Sequence, residues 1–181
     1  MHIEDREILN LLGNYDTRDK GFLLLVNKYQ RRLYHHIRRL LVSHDDTDDA
    51  LQNTFLKAWN GIERFREESQ LFTWLYRIAT NEALSILKRN KRWKEIAIEN
   101  LPHAGPATDP DPGTLSGDEI SMKLISAIKQ LPPKQQAVFN LRYFDELKYE
   151  EISGILGTSV GALKASYHHA IKKIEKFLDI D

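Results

Sequence analysis

Residues 149–178 read YEEISGILGTSVGALKASYHHAIKKIEKFL, and their spacing predicts two helices meeting at a tight turn. Ile152, Ile155 and Leu156 recur at the three-to-four-residue interval of a buried helical face. Gly157 follows them, where a chain leaving a helix favours a residue that can turn left-handed at no steric cost. Thr158 and Ser159 then lead into a second helix. On that helix, a rotation of about 100° per residue gathers Val160, Leu163, Tyr167, Ala170, Ile171, Ile174, Phe177 and Leu178 on one side. The other side carries Gly161, Ala165, His168, His169, Lys172 and Lys176, with Lys164 on its flank. The pattern is that of a helix-turn-helix. Small residues near the turn let a backbone enter a groove, and the cations further along can meet phosphates. A helical hairpin for protein contact, with solvated histidines, is the competing reading, but the turn, the small residues and the cations together favour DNA. The adjacent His168 and His169 diverge by about 100°, and no carboxylate stands at helical spacing on their face, so no metal site is expected.

The chain ahead of this motif is also helical. One helix is expected over Phe22–Val42 and a second after Ser43-His44-Asp45-Asp46. Thr47 is read as the second helix's N-cap, with Asp48 and Asp49 facing its positive end, and its core stripe as Leu51, Phe55, Ala58 and Ile62. A third runs from Ser69 to Asn90 with Leu71, Leu75, Ile78 and Ile86 inward. No segment alternates with the period of a strand. Residues 102–117 hold four of the six prolines, with Gly105, Gly113 and Gly117 among them, and cannot sustain a helix. Shorter helices are expected near 118–130, 133–144, 148–156 and 160–178, Pro133 suiting a helix start. The fold class is therefore all-α. It divides into a domain at 1–96, a linker at 97–118 and a helix-turn-helix domain at 119–181.

Composition narrows the function. Among the 181 residues cysteine is absent, which excludes disulfide scaffolds, thiolate zinc sites and cysteine nucleophiles. The longest apolar run, Phe22 to Val26, falls far short of the ~20 residues of a membrane span. Glu4, Asp5 and Glu7 are unlike the basic start of a secretory signal, so a cytoplasmic protein without membrane insertion is expected. There is no Gly-rich phosphate loop, paired-carboxylate cleft or His/Cys cluster, so neither an enzyme nor a bound cofactor is expected. The acidic pairs Asp45-Asp46 and Asp48-Asp49 fit capping and partner docking better than magnesium.

The 26 basic and 26 acidic residues cancel, but they are segregated. Lys88, Arg89, Lys91, Arg92 and Lys94 cluster without an acid, and Glu95, Glu99, Asp109, Asp111, Asp118 and Glu119 follow without a base. Phosphate attraction is local, so this distribution outweighs the sum; a solvated charged face is the alternative. Just before the basic block, residues 65–81 read FREESQLFTWLYRIATN. Thr73, Trp74, Arg77, Asn81 and Lys88 share a face away from the apolar stripe, and an aromatic beside cations and an amide can stack an unpaired base. Extension of the core by Trp74 and Phe72 is the equal alternative.

Residues 65–81, with Asp49-Ala-Leu-Gln-Asn-Thr-Phe-Leu-Lys-Ala-Trp59 before them, resemble region 2 of bacterial sigma factors of the extracytoplasmic-function class. Leu131-Pro-Pro-Lys-Gln-Gln-Ala-Val-Phe-Asn-Leu-Arg-Tyr143 and the helix-turn-helix resemble their region 4. The resemblance implies promoter-specific transcription initiation on core RNA polymerase, with the beta-prime clamp helices and beta flap as docking partners and promoter DNA as ligand. By position, Asp48, Asp49, Gln52 and Asn53 would contact polymerase. Phe65, Arg66, Ser69, Trp74, Arg77, Asn81 and Lys88 would serve the −10 element. Lys164, Ala165, His168, His169 and Lys172 would serve the −35 element. The resemblance also opens the way to an anti-sigma partner and implies a monomer when free. Two departures stand out. Ala162-Leu-Lys-Ala-Ser166 replaces the family's frequent Thr-Val-Lys-Ser-Arg, and His169 stands where arginine is common. The bidentate match of arginine to guanine is lost with it.

Overall fold

The computed structural model describes residues 3–41, 43–65, 69–99 and 117–178, with backbone alone at 91–99 and 117–121. The helices among the described residues are α1 (Asp5–Leu12), α2 (Arg18–Leu41), α3 (His44–Gly61), α4 (Leu71–Glu99), α5 (Gly117–Lys129), α6 (Pro133–Tyr143), α7 (Tyr149–Leu156) and α8 (Val160–Phe177). No strand occurs among these residues.

In the first half, α2, α3 and α4 pack against one another, and α1 lies along α2. The sequence reading did not include α1. This short helix buries Ile8 and Leu12, and its Asp5 carboxylate accepts hydrogen bonds from Lys28 Nζ at 2.7 Å and Tyr29 Oη at 2.7 Å. Burial, with the Asp5 carboxylate next in weight, drives the Tyr29 phenol well above its ordinary range. The helix expected from Phe22 starts earlier, at Arg18.

The start of α3 corrects the expected cap. Ser43, not Thr47, is the N-cap: its backbone is extended and its hydroxyl accepts from Asp46 N at 3.3 Å. Thr47 is instead buried inside the helix and donates its hydroxyl to Ser43 O at 2.6 Å. The earlier start puts Asp45 and Asp46 in the first turn. The expected core stripe holds at Ala58 and Ile62, which are buried, but Leu51 and Phe55 are only half-buried at its edges, and Thr47, Ala50 and Thr54 are buried in their place. Small residues line the close helix contact, and the large ones close its flanks. The Thr54 hydroxyl is satisfied within the helix by Ala50 O at 2.7 Å.

In α4, Leu71, Leu75 and Ile86 are buried as expected and Ile78 is half-buried; Thr73, Tyr76, Ala79, Thr80 and Ala83 are buried with them. The helix runs past Asn90 to Glu99. Most of the expected linker, residues 100–116, lies outside the described residues.

In the second half, α6 and α8 pack together with α5 on α8 and α7 beside both. Pro133 opens α6 within its first turn. Gly157 ends α7 at φ 63°, ψ 33°, and its N–H donates to Ser153 O at 2.9 Å. Ser159 then caps α8, accepting from Ala162 N at 3.4 Å.

The halves also pack on each other, α7 against α4 and α6 against α2. Ala137, Val138, Leu141, Leu147, Ile152, Ile155 and Leu163 join the apolar core that includes Leu25, Leu33, Leu75 and Tyr76. A smaller cluster of Ala127, Ile128, Leu131, Phe139, Ala170 and Ile174 holds α5, α6 and α8 together.

Candidate nucleic-acid and polymerase interfaces

The α8 helix separates its two faces as its sequence requires. Leu163, Ala170 and Ile174 are buried, whereas Lys164, Ala165, His168, His169 and Lys172 are all exposed. Phe177, expected on the buried side, is exposed at the C-terminal end of the helix. Tyr167 stacks on Phe139 with ring centroids 5.8 Å apart, which fixes the roll of α8. Lys164 Nζ lies 5.8 Å over the ring of Tyr149, the first residue of α7.

On α3, Asp48, Asp49, Gln52 and Asn53 are exposed side by side. Leu56, one turn further on, is 53 % exposed and adds an apolar end to this polar surface. The sequence reading did not include Leu56, although its helical spacing from Gln52 and Asn53 was the available signal.

The α4 face is less uniform. Asn81 and Lys88 are exposed, and Arg77 is exposed overall. Trp74 and Phe65 are half-buried, their rings 5.1 Å apart. The Trp74 indole also lies over Gly61, where a Cβ would come within 3.3 Å of it. Trp74 therefore joins the core on one side and leaves part of its ring uncovered. Ser69 is half-buried, and Arg66 lies outside the described residues. Within the basic block, Asp46 accepts from Asn90 Nδ2 at 2.9 Å and faces Arg89 at 3.9 Å, while the side chains of Lys91, Arg92 and Lys94 lie outside the described residues.

Arg77 and Thr73 are covered from the other half of the chain. Arg77 Nε donates to Gly154 O of α7 at 2.9 Å. The Thr73 methyl fills the space beside Gly154, where an added Cβ would sit only 2.9 Å from it. A glycine is needed there for α7 to approach α4.

A second contact joins α2 to the turn after α6. Asp145, with 8 % of its side chain exposed, receives Arg39 Nη2 on one oxygen and His36 Nδ1 on the other at 2.8 Å. Fully buried His36 also meets Thr80 Oγ1 at 2.9 Å, and Thr80 donates its hydroxyl to Tyr76 O at 2.7 Å. Tyr76 lies against His36; burial, then the Asp145 charge, pushes its phenol up to about 12. Gln136 Nε2 adds a longer bond to Arg39 O at 3.4 Å. None of these inter-half partners follows from local spacing, because Asp145 is 109 residues from His36.

The Sigma-70 region 2 family matches residues 25–93, and the Sigma-70, region 4 family matches residues 121–174. The chain is 32% identical to the ECF RNA polymerase sigma-E factor of Haemophilus influenzae, across 86% of each protein. It is 31% identical to the ECF RNA polymerase sigma factor SigG of Mycobacterium tuberculosis over 88% of this chain but 49% of that protein, so it spans about half of that relative's length. Among solved structures, the sigma factor RpoE in complex with the anti-sigma factor NepR from Bartonella quintana superimposes with a TM-score of 0.67 at 23% identity, covering 90% of this chain and 99% of that one. No described helix is long and apolar enough to cross a membrane.

Proposed function

We propose that this chain, which belongs to the extracytoplasmic-function class of sigma factors, binds core RNA polymerase in the cytoplasm and directs initiation at promoters with particular −10 and −35 elements. It does so by binding, without a catalytic step of its own. The observation that carries this reading is the presence, on one chain, of two separate open faces: the polar ridge of α3 and the cationic outer face of α8. In this reading Asp48, Asp49, Gln52 and Asn53 dock on the polymerase clamp helices and the second half engages the flap. Trp74 and Asn81 take an unpaired −10 base. Lys164, Ala165, His168 and His169 read the −35 groove while Lys172 holds phosphate.

The alternative of an operator-binding regulator needs no region 2 at all, and the match over residues 25–93 argues against it. Alanine at Asp49 and Gln52 together is expected to weaken capture of core polymerase in a pull-down, with helicity and melting unchanged because both side chains are solvated. Normal capture would remove this surface from the account. Neutralising Lys172 is expected to lower the log–log salt slope of promoter binding by roughly one and to weaken all sequences alike. An unchanged slope would mean that Lys172 faces solvent in the complex.

The packed arrangement is read as the resting form of the free protein. It covers Arg77 and Thr73 with α7, and it holds the two DNA-reading halves together. In this reading the halves part to meet two elements more than one ~34 Å helical turn apart. The residues between Glu99 and Gly117 can span at most ~60 Å, so parting the halves needs no unfolding of either. An anti-sigma factor is a partner that would hold the chain closed.

A further inference from the structure

We infer that the cleft between the two halves is a binding site for a small organic anion with an apolar body, which fastens the closed form. The inference rests on the closed arrangement being the resting form. The cleft has a volume of about 380 Å³, within the ~300–1,000 Å³ typical of small-molecule sites. Its walls come from both halves: Arg38 and Arg39 of α2 on one side, and Ile128 and Lys129 of α5 with Phe144 after α6 on the other. Fully buried Asn140 forms its floor.

Two independent features point to the same ligand. The first is charge: Arg38, Arg39 and Lys129 line the cleft, and no carboxylate lines it among the described residues. Asp145 stands behind Arg39 and engages only its terminal nitrogen. The second is a set of unmatched polar atoms. Arg39 Nε and both amide atoms of Asn140 are buried without a hydrogen-bond partner. Leaving such a group unpaired forfeits its hydrogen bonds to water, and native proteins leave few. Two of them are donors, Arg39 Nε and Asn140 Nδ2, on residues that line one cleft, and an anion leaves only the acceptor Asn140 Oδ1 unmatched. A carboxylate would accept from Arg39 Nε and Asn140 Nδ2. Ile128 and Phe144 would cover an aliphatic tail, and Lys129 would add long-range attraction from the rim.

A ligand contacting α2 and α5 together binds the closed form and not the open one. It therefore shifts the balance toward closure as its concentration rises. Its presence would compete with polymerase without touching either the α3 ridge or the α8 face.

The test uses the full chain with octanoate, titrated by calorimetry and followed by small-angle scattering. Saturable binding is expected, with octan-1-ol and inorganic phosphate at least tenfold weaker, because one lacks the charge and the other the tail. Asn140→Leu keeps the branched shape of the side chain and removes the amide; it is expected to weaken octanoate at least tenfold. Lys129→Gln, at an exposed position, should weaken it several-fold with the fold intact. Octanoate should also lower polymerase capture by the wild-type chain and not by Asn140→Leu. No saturable binding to a chain shown by scattering to be compact would overturn the site, as would equal binding by both variants. Phosphate binding as tightly as octanoate would mean a simple anion patch and would likewise overturn it. A free chain that scatters as an extended pair of domains would instead remove the closed resting form on which the cleft depends.

Discussion

Replacing Asp145 by alanine is expected to part the two halves of the free chain while leaving each half folded. The carboxylate is the shared acceptor for Arg39 and for fully buried His36, so its loss strands two donors at the contact. Breaking a buried ion pair from one side costs about 3–5 kcal/mol. Arg39 keeps 28% of its side chain exposed and can find water, which reduces the figure to roughly 2–4 kcal/mol. Closure should weaken by about two orders of magnitude. The expected readouts are a larger radius of gyration and faster proteolysis between residues 99 and 117. Polymerase should also bind more tightly, because apparent affinity scales with the competent fraction. Gly154→Leu reaches the same outcome by another route, since any Cβ at that position meets the Thr73 methyl at 2.9 Å. Compact, protease-resistant behaviour in both variants would show that these contacts do not hold the chain shut.

Trp74→Ala should slow opening of a duplex promoter by about one to two orders of magnitude, since stacking is worth roughly 1–3 kcal/mol per base. The indole also packs on Phe65 and Gly61, so the comparison must be made below the variant's melting temperature. Asn81→Ala has no such complication, because Asn81 is exposed and its amide can both donate to and accept from a base edge. A template with a premelted bubble should rescue Trp74→Ala more fully than Asn81→Ala. Melting is then already done, while recognition of the base is still missing. Opening at the wild-type rate by both variants would return Trp74 to a purely core role.

The helical elements were legible wherever an apolar stripe or a turn residue spoke locally. Gly157 marked the turn of the helix-turn-helix, and the exposed face of α8 follows directly from its spacing. The cap of α3 misled because Ser43 and Thr47 are both capable caps, and only packing decides that Thr47 goes inside. Its stripe was legible at Ala58 and Ile62 but not at its start, because Ala50 and Thr54 look unremarkable beside Leu51 and Phe55, yet close helix contact selects small side chains. The polar ridge of α3 was legible from its spacing, whereas Leu56, which shares that spacing, was passed over because an apolar residue in a helix reads as core. The α7 contact on Arg77 and the Asp145 contact on His36 and Arg39 had no local signal. They join residues 77 to 109 positions apart, and such pairings are set by how finished helices fit together.

The most direct measurement is run-off transcription with the purified chain, core RNA polymerase and a library of duplex templates. Transcripts are expected to start at fixed points downstream of a shared pair of elements. They should be lost on substitution of Asp49 with Gln52 and redirected to other −35 sequences by changes at His168 and His169. Tight binding of the chain alone to duplex DNA, with no promoter-specific transcript from the mixture, would contradict it.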